Sequence, residues 1–320
     1  MTRLKAVLLV AALSLFLAVS AGAQNFPTGP ITYMNPFNPG GEVDIAARAM
    51  QPYLEKYFAQ PFVINYQPGA GGALCWSKLA AAKPDGYTIG GFSIPHIILQ
   101  PIFMKDVAYK TDDFVILSIV EYTPIGLAVK KDHPVNTFKE FIDYAKANPG
   151  KIRYATAGAG TPQHLVMERL AIEEKIKWTL VPFDGGGPAV SALMGGHVEA
   201  ISQTTEWKKH VESGRLRLLA VYGEKRMDDF PNAPTLLELG YKITAPSLIS
   251  IIGPKGLSPQ VVDTLHGAFK KAMDDPDFIK VSNQMDQPLL YRGPQDLAKH
   301  LVQMNNEVGT LIRNLGLRKE

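Results

Sequence analysis

The sequence predicts an α/β protein built as two lobes, on three observations. Strand-like apolar runs alternate with amphipathic helical patterns, glycine-rich turns join several strands to the helices after them, and two segments read as crossings between separate sheets. Alternation of this kind implies mostly parallel sheets with helices on both faces.

Taken in order, the strand-like runs are Ile31–Phe37, Phe62–Tyr66, Thr88–Phe92, Val115–Val120, Gly126–Val129, Ile152–Thr156, Trp178–Pro182, Glu199–Gln203, Leu216–Val221 and Leu248–Ile252. After the first, Val43, Ala46, Ala47, Met50, Leu54 and Tyr57 recur at spacings of three and four, which lines one helical face. Pro52 falls inside that run and predicts a kink or an early end, because proline lacks the N–H that continues a helix. Ser258-Pro259 supplies a cap and a first-turn proline to a helix carrying Val262, Leu265, Phe269 and Met273. A last helix opens near Pro294, carries Leu297, Leu301, Met304, Val308, Leu311 and Leu315, and stops at Gly316. There is no internal repeat, coiled coil or low-complexity tract.

The first residues read as a secretory signal: Arg3 and Lys5, an apolar stretch from Ala6 to Val19, and Ala21-Gly-Ala23 at the cleavage point. That apolar stretch falls short of the roughly 20 residues needed to span a bilayer. Residues 1–23 are therefore expected to be removed, leaving a soluble periplasmic protein. The single cysteine, Cys75, excludes an intramolecular disulfide and reads as a small buried residue. The crossings are Glu121–Gly126 and Tyr222–Pro246. They place 24–122 and 246–320 in the first lobe and 123–245 in the second, a topology suited to hinge closure around a ligand.

Composition narrows the function. The chain has 33 basic and 30 acidic residues, a net charge of +3, with no footprint for nucleic acid or an anionic membrane. No Gly-x-Ser-x-Gly, His-Glu-x-x-His, paired cysteines or complete dinucleotide fingerprint occurs, so no catalytic residue, metal site or cofactor is expected. A secreted hydrolase using His96 or His164 is the enzymatic rival. What remains are four glycine turns: Pro39-Gly-Gly41, Gly69-Ala-Gly-Gly72, Gly158-Ala-Gly-Thr-Pro162 and Asp184-Gly-Gly-Gly-Pro188. A helix start offers unpaired N–H groups and a partial positive charge, and glycine lets a ligand approach. Four such turns suggest a cleft that holds acidic groups. Thr161-Pro162 equally makes a good helix cap, His164 then lies in the first turn, and Asp44 suits loop stabilisation better than contact with an anion. Glu42 is either an exposed loop carboxylate or a group that receives a ligand's ammonium, hydroxyl or water.

These segments, in order, resemble the Bug/TctC-like periplasmic solute-binding proteins of tripartite tricarboxylate transporters. The likeness runs through Pro36-Phe-Asn-Pro-Gly-Gly-x-x-Asp44, Gln67-Pro-Gly-Ala-Gly-Gly72, Lys83-Pro-Asp-Gly-Tyr-Thr88, Tyr154-Ala-Thr-Ala-Gly-Ala-Gly-Thr161, Val181-Pro-Phe-Asp-Gly-Gly-Gly-Pro-Ala189 and Leu193-Met-Gly-Gly-His-Val-Glu-Ala200. Gly214–Val221, Phe230–Thr235 and Gly253–Gly256 extend it over essentially the whole mature chain.

The resemblance implies a type II periplasmic-binding-protein fold and a ligand carboxylate held at the first Pro-Gly-Gly turn by backbone N–H groups and bridging waters. By that analogy Asn38, Gly40, Gly41 and Asp44 form or shape this pocket, with Ser93 and His96 on the same lobe, and Glu42 joins the candidates from its own place in the turn. The second lobe contributes Thr156, Ala157, Gly158, Thr161, His164 and Asp184. Glu42-Val43 departs from the usual small pair before Asp44, and Gln203-Thr-Thr205 departs where an acidic or amide residue often follows the strand. The expected role is capture of a small organic carboxylate, a di- or tricarboxylate favoured, by a monomer that delivers it to the membrane subunits of the transporter. The rival within the same fold is a ligand-dependent sensor acting on a membrane kinase.

Overall fold

The computed structural model describes residues 26–94, 96–104, 107–245, 247–285 and 288–292, with six further positions between 299 and 312. Both the signal segment and the cleavage point lie outside these residues. So does most of the helix expected from Pro294 to Gly316, of which Lys299, Asn305, Asn306, Gly309, Thr310 and Ile312 are helical.

Two sheets organise the described chain. The first has the order β11-β4-β10-β3-β1-β2, from β1 (Ile31–Asn35), β2 (Phe62–Tyr66), β3 (Thr88–Ile94), β4 (Phe114–Thr123), β10 (Ser247–Pro254) and β11 (Leu289–Arg292). The second has the order β7-β6-β8-β5-β9, from β5 (Gly126–Lys130), β6 (Arg153–Thr156), β7 (Thr179–Pro182), β8 (Ala200–Gln203) and β9 (Leu216–Val221). Both are mixed. Pairings β1–β2, β1–β3, β6–β7 and β6–β8 are parallel, as strand–helix–strand units require. Strands β4, β10, β5 and β9, which lead between the sheets, pair antiparallel. All ten expected strands are present, most with ends shifted by a residue or more, and β11 joins them at the edge of the first sheet.

Side-chain alternation explains the packing of the second sheet. Leu127 and Val129 enter one buried cluster with Tyr154, Met167 and Leu170, while Ala128 and Ala155 enter another with Leu193, Ile201 and Trp207. A period of two sends neighbours to opposite faces, so both faces carry helices. The first lobe packs Trp76, Phe92, Leu54 and Phe269 into a single larger core.

The helices are α1 (Glu42–Phe58), α2 (Ala73–Ala80), α3 (His96–Phe103), α4 (Phe138–Ala147), α5 (Pro162–Glu174), α6 (Gly186–Met194), α7 (Lys208–Glu212), α8 (Pro259–Met273) and α9 (Pro276–Gln284). The expected caps are in place: Ser258 Oγ accepts the Val261 N–H, and Thr161 Oγ1 accepts the His164 N–H. Pro52 does not end α1 early; the helix continues to Phe58. Pro52 is exposed, so the Arg48 carbonyl it leaves without a helical partner faces water, which can satisfy it. Cys75 is fully buried on α2, and burial pushes its thiol up to about 12, which leaves it inert at neutral pH.

Candidate functional site

The first glycine turn is built as its sequence suggests, and its donors are already in use. Gly40 has φ +89°, a conformation glycine adopts without strain, and its N–H donates to Asp44 Oδ2 at 2.8 Å. Asp44 Oδ1 accepts from Arg48 Nε at 2.9 Å and from the Tyr66 hydroxyl at 2.5 Å. Asp44 therefore shapes the loop, which fits its place in the first turn of α1.

The next donor, the N–H of Glu42, points to Glu206 Oε1 at 3.3 Å. Glu206 belongs to the other sheet's lobe, in the turn of 3₁₀-helix Thr205–Trp207 that follows β8. A Cβ on Gly41 would lie 3.6 Å from the same oxygen and 4.0 Å from the N of Gly186, the first residue of α6. A Cβ on Gly186 would overlap that oxygen. Two helix N-termini thus converge from opposite lobes on one carboxylate, supplied by the chain itself.

Glu42 is the centre of a buried polar chain on the first lobe. Its Oε1 accepts from Ser247 Oγ at 2.9 Å, and Ser247 is hydrogen-bonded to Ser93. Burial, followed by the charge of Glu206, pushes the Glu42 carboxyl up to about 8. Glu206 is raised for the same leading reason, and Thr204 Oγ1 donates to its Oε2 at 2.7 Å. Glu121, on β4, is also raised by burial to about 8; Ser282 Oγ donates to its Oε1 at 3.2 Å.

His96 follows Ser93 by three residues and is fully buried between Phe37 and Trp76 at ring separations of 5.8 and 6.1 Å. Neither ring nitrogen reaches hydrogen-bond geometry; the Ser93 backbone nearby favours the charged form only weakly. Burial dominates and pushes the imidazole down to about 3, so it is neutral at physiological pH.

On the second lobe, the predicted residues mainly satisfy one another. Thr156 Oγ1 donates to the Gly158 carbonyl at 2.9 Å and accepts the Gly158 N–H at 3.2 Å. Thr161 Oγ1 donates to the same carbonyl at 2.9 Å, and His164 Nδ1 accepts the Gly160 N–H at 3.2 Å. Ala157 is buried beside them. The Asp184 side chain is exposed, but its carbonyl accepts the Asn38 N–H at 3.1 Å across the lobe boundary. The lobes also touch where Gly71 faces Gly158, a backbone contact that two of the glycine turns make possible.

A cavity of about 830 Å³ opens between the lobes beside the two carboxyl groups, and Gly40, Glu42, Gly187 and Glu206 are among its lining residues. Sequence reasoning missed Glu206 and the buried amides of Gln163 and Gln203, joined by a 3.2 Å hydrogen bond. Only the departure noted at Gln203–Thr205 pointed toward them.

Residues 46–317 match the sequence model of the tripartite tricarboxylate transporter family receptor, TctC. The chain belongs to this family. Among TctC relatives, the chain is 37% identical to the "UPF0065 protein in gbd 5'region" of Cupriavidus necator, covering 93% of this chain and 91% of that protein. It is 32% identical to BugT of Bordetella pertussis over 85% of each. The periplasmic binding protein BugD superposes with a TM-score of 0.87 at 28% identity, covering 92% of this chain and all of BugD. MatC of Rhodopseudomonas palustris, solved with bound malate, gives 0.82 at 27% identity over 88% of this chain and 98% of MatC. A second R. palustris protein, solved with adipate, gives 0.85 at 25% identity over 91% of this chain and 98% of its own. The chain is thus a solute-binding protein of the TctC/Bug type with the two-lobed α/β fold of periplasmic binding proteins. The family is one of receptors, and the hydrolase reading has no support from it. Among the described residues no helix is long and apolar enough to cross a membrane.

Proposed function

We propose that this TctC protein captures a small organic carboxylate in the periplasm and delivers it to the membrane subunits of a tripartite tricarboxylate-type transporter. The observation that carries the reading is the convergence of the α1 and α6 N-termini on a carboxylate between the lobes. Partial positive charge and backbone N–H groups at two helix starts make an anion seat in which no arginine is required, and Glu206 occupies it here in the manner of a ligand carboxylate. Each charge-assisted hydrogen bond to a carboxylate contributes about 1.5–3 kcal/mol. Two or three, less ordering costs, reach the micromolar range of about −8 kcal/mol. The malate and adipate bound by two relatives favour a dicarboxylate among the candidates. The ligand-contacting residues are those around the interlobe cavity, Gly40, Glu42 and Glu206, with Asn38 and Asp184 fastening the boundary.

The test is a thermal-shift screen of mature protein, freed of copurified ligand, against mono-, di- and tricarboxylates with sugars as controls. A ligand at 100 times its Kd adds about 2.7 kcal/mol of stability. A clear rise with one carboxylate class is expected, and its absence across all classes would overturn the reading. Uptake of the labelled ligand, lost on deletion of the receptor and restored by its return, tests the delivery step.

A further inference from the structure

Glu206 fills the seat between α1 and α6 poorly. Its Oε1 meets the Glu42 N–H at 3.3 Å, which is long for a carboxylate, whose charge-assisted hydrogen bonds run at about 2.7–2.9 Å. Its Oε2 is held at 2.7 Å by the hydroxyl of Thr204, two residues back in the same turn. One oxygen is thus committed to the residue's own loop, and only the other is left for the seat.

A second observation points to a ligand there. Gln203, the last residue of β8, is fully buried, and its amide has a fixed orientation. Its Oε1 accepts the Thr204 N–H at 3.3 Å and a Gln163 Nε2–H at 3.2 Å. Nε2 is therefore the donor end, and no group among the described residues accepts from it. That nitrogen lies 2.7 Å from the point a Cβ on Gly186 would occupy, and Glu206 Oε1 lies 2.1 Å from the same point. Both groups face one space, kept open because the first residue of α6 has no side chain. Glu206 lines the cavity and Gln203 is fully buried, so a ligand reaches the amide only where the Glu206 carboxylate gives way. A buried donor left without an acceptor is costly, and the missing partner is an acceptor.

We propose that Glu206 is a tethered stand-in that the ligand's carboxylate displaces, and that Gln203 Nε2 is the side-chain donor this carboxylate gains on the second lobe. This rests on the carboxylate-receptor reading and deepens it, naming the group the ligand expels and the donor that selects it. A carboxylate free of the chain brings both oxygens to the seat, one for the Glu42 N–H of the first lobe and one for Gln203 of the second. Glu206 serves only the first of these donors. Displaced, Glu206 stands beside the ligand, and Lys209, exposed on the same cavity, gives it a cationic neighbour. An ammonium group has no lone pair for either donor, and an uncharged hydroxyl brings no charge to replace the one it would expel. Because the internal carboxylate must leave first, its removal strengthens binding.

The experiment is calorimetric titration of the mature protein, freed of copurified ligand, with the unbranched dicarboxylates from malonate to adipate. It compares the parent with Glu206→Ala, Glu206→Gln and Gln203→Glu. The last keeps an acceptor for the Thr204 N–H and puts an anionic oxygen where the donor stood. The best parent ligand is expected to bind at least about tenfold tighter to both Glu206 variants and at least about tenfold weaker to Gln203→Glu, the size of one charge-assisted hydrogen bond. Should Gln203→Glu show no cooperative melting transition, Gln203→Met, which keeps the length without the donor, takes its place. Equal or weaker binding by the Glu206 variants overturns the displacement. Unchanged affinity in a folded Gln203 variant overturns the amide as ligand donor. Either result leaves the carboxylate receptor standing, whereas no dicarboxylate binding by the parent or any variant overturns that reading as well.

Discussion

Gly71 and Gly158 meet backbone to backbone across the lobe boundary: a Cβ on Gly158 would strike the Cα of Gly71 and lie 3.1 Å from its amide nitrogen. The described state is therefore one that only glycine at this contact permits. Gly158→Ala is expected to hold the lobes apart and to weaken ligand binding at least about tenfold. Because Gly158 has φ +139°, the substitution also strains its loop by about 1–3 kcal/mol. Small-angle scattering with saturating ligand checks the first effect, since the variant should keep a larger radius of gyration than the parent. An identical closed radius and affinity would contradict it.

Glu42 and Glu121, both held near 8 by burial, make stability pH-dependent in the alkaline direction. Their ordinary value is 4.5, so between about 4.5 and 8 the folded protein keeps protons that the unfolded chain has lost. Stability falls as pH rises through that window. Melting temperature at pH 8.5 should lie below that at pH 6.5, and Glu42→Gln should flatten part of the slope. A melting temperature that rises over this interval would refute the assignment.

His96 acts with the opposite sign. Its imidazole is held near 3 against an ordinary 6.5, so below 6.5 the unfolded chain gains a proton that the folded one refuses. Stability is then lost as pH falls from 6.5 toward 3. His96→Phe keeps a ring between Phe37 and Trp76 and removes two unbonded nitrogens. It should be neutral, or stabilising by about 1–2 kcal/mol, at pH 7, with a shallower acid limb in calorimetry. Destabilisation beyond about 2 kcal/mol at pH 7 would show that those nitrogens are satisfied.

Pro52 offers the simplest stability test. It sits exposed within α1, where proline is about 3 kcal/mol less favourable than alanine in a regular interior turn. Water at the Arg48 carbonyl recovers part of that cost, so Pro52→Ala should stabilise by about 1–2 kcal/mol in urea unfolding. No gain would mean that α1 is already bent to accommodate the ring.

The strands were legible because apolar and β-branched runs bounded by Gly, Pro and Asn leave few alternatives, and each of the ten has its counterpart in the sheets. Leu289–Arg292 was not, since four residues at a sheet edge with an irregular register carry little periodic signal. Pro52 misled because its effect depends on which side of the helix faces water. At the site, the glycine turns marked where backbones approach, and the Thr161 cap and the loop role of Asp44 could be read locally. Glu206 and the Gln163–Gln203 pair could not be placed. Glu206 gains its meaning from α1, 164 residues earlier, and only folding brings the two helix starts together.

The place of β10 in the first sheet sets an order of assembly. It lies between β3 and β4 and is hydrogen-bonded to both, so without residues 247–254 that sheet is two separate pieces. The second sheet uses only residues 126–221 and is whole once they are available. A chain that emerges from its N-terminus therefore finishes its middle sheet first. The lobe that begins at Ile31 must wait, its apolar strand edges open, until nearly the last quarter of the chain arrives. This interval is when the protein is most exposed to aggregation and most dependent on a partner that shields strand edges.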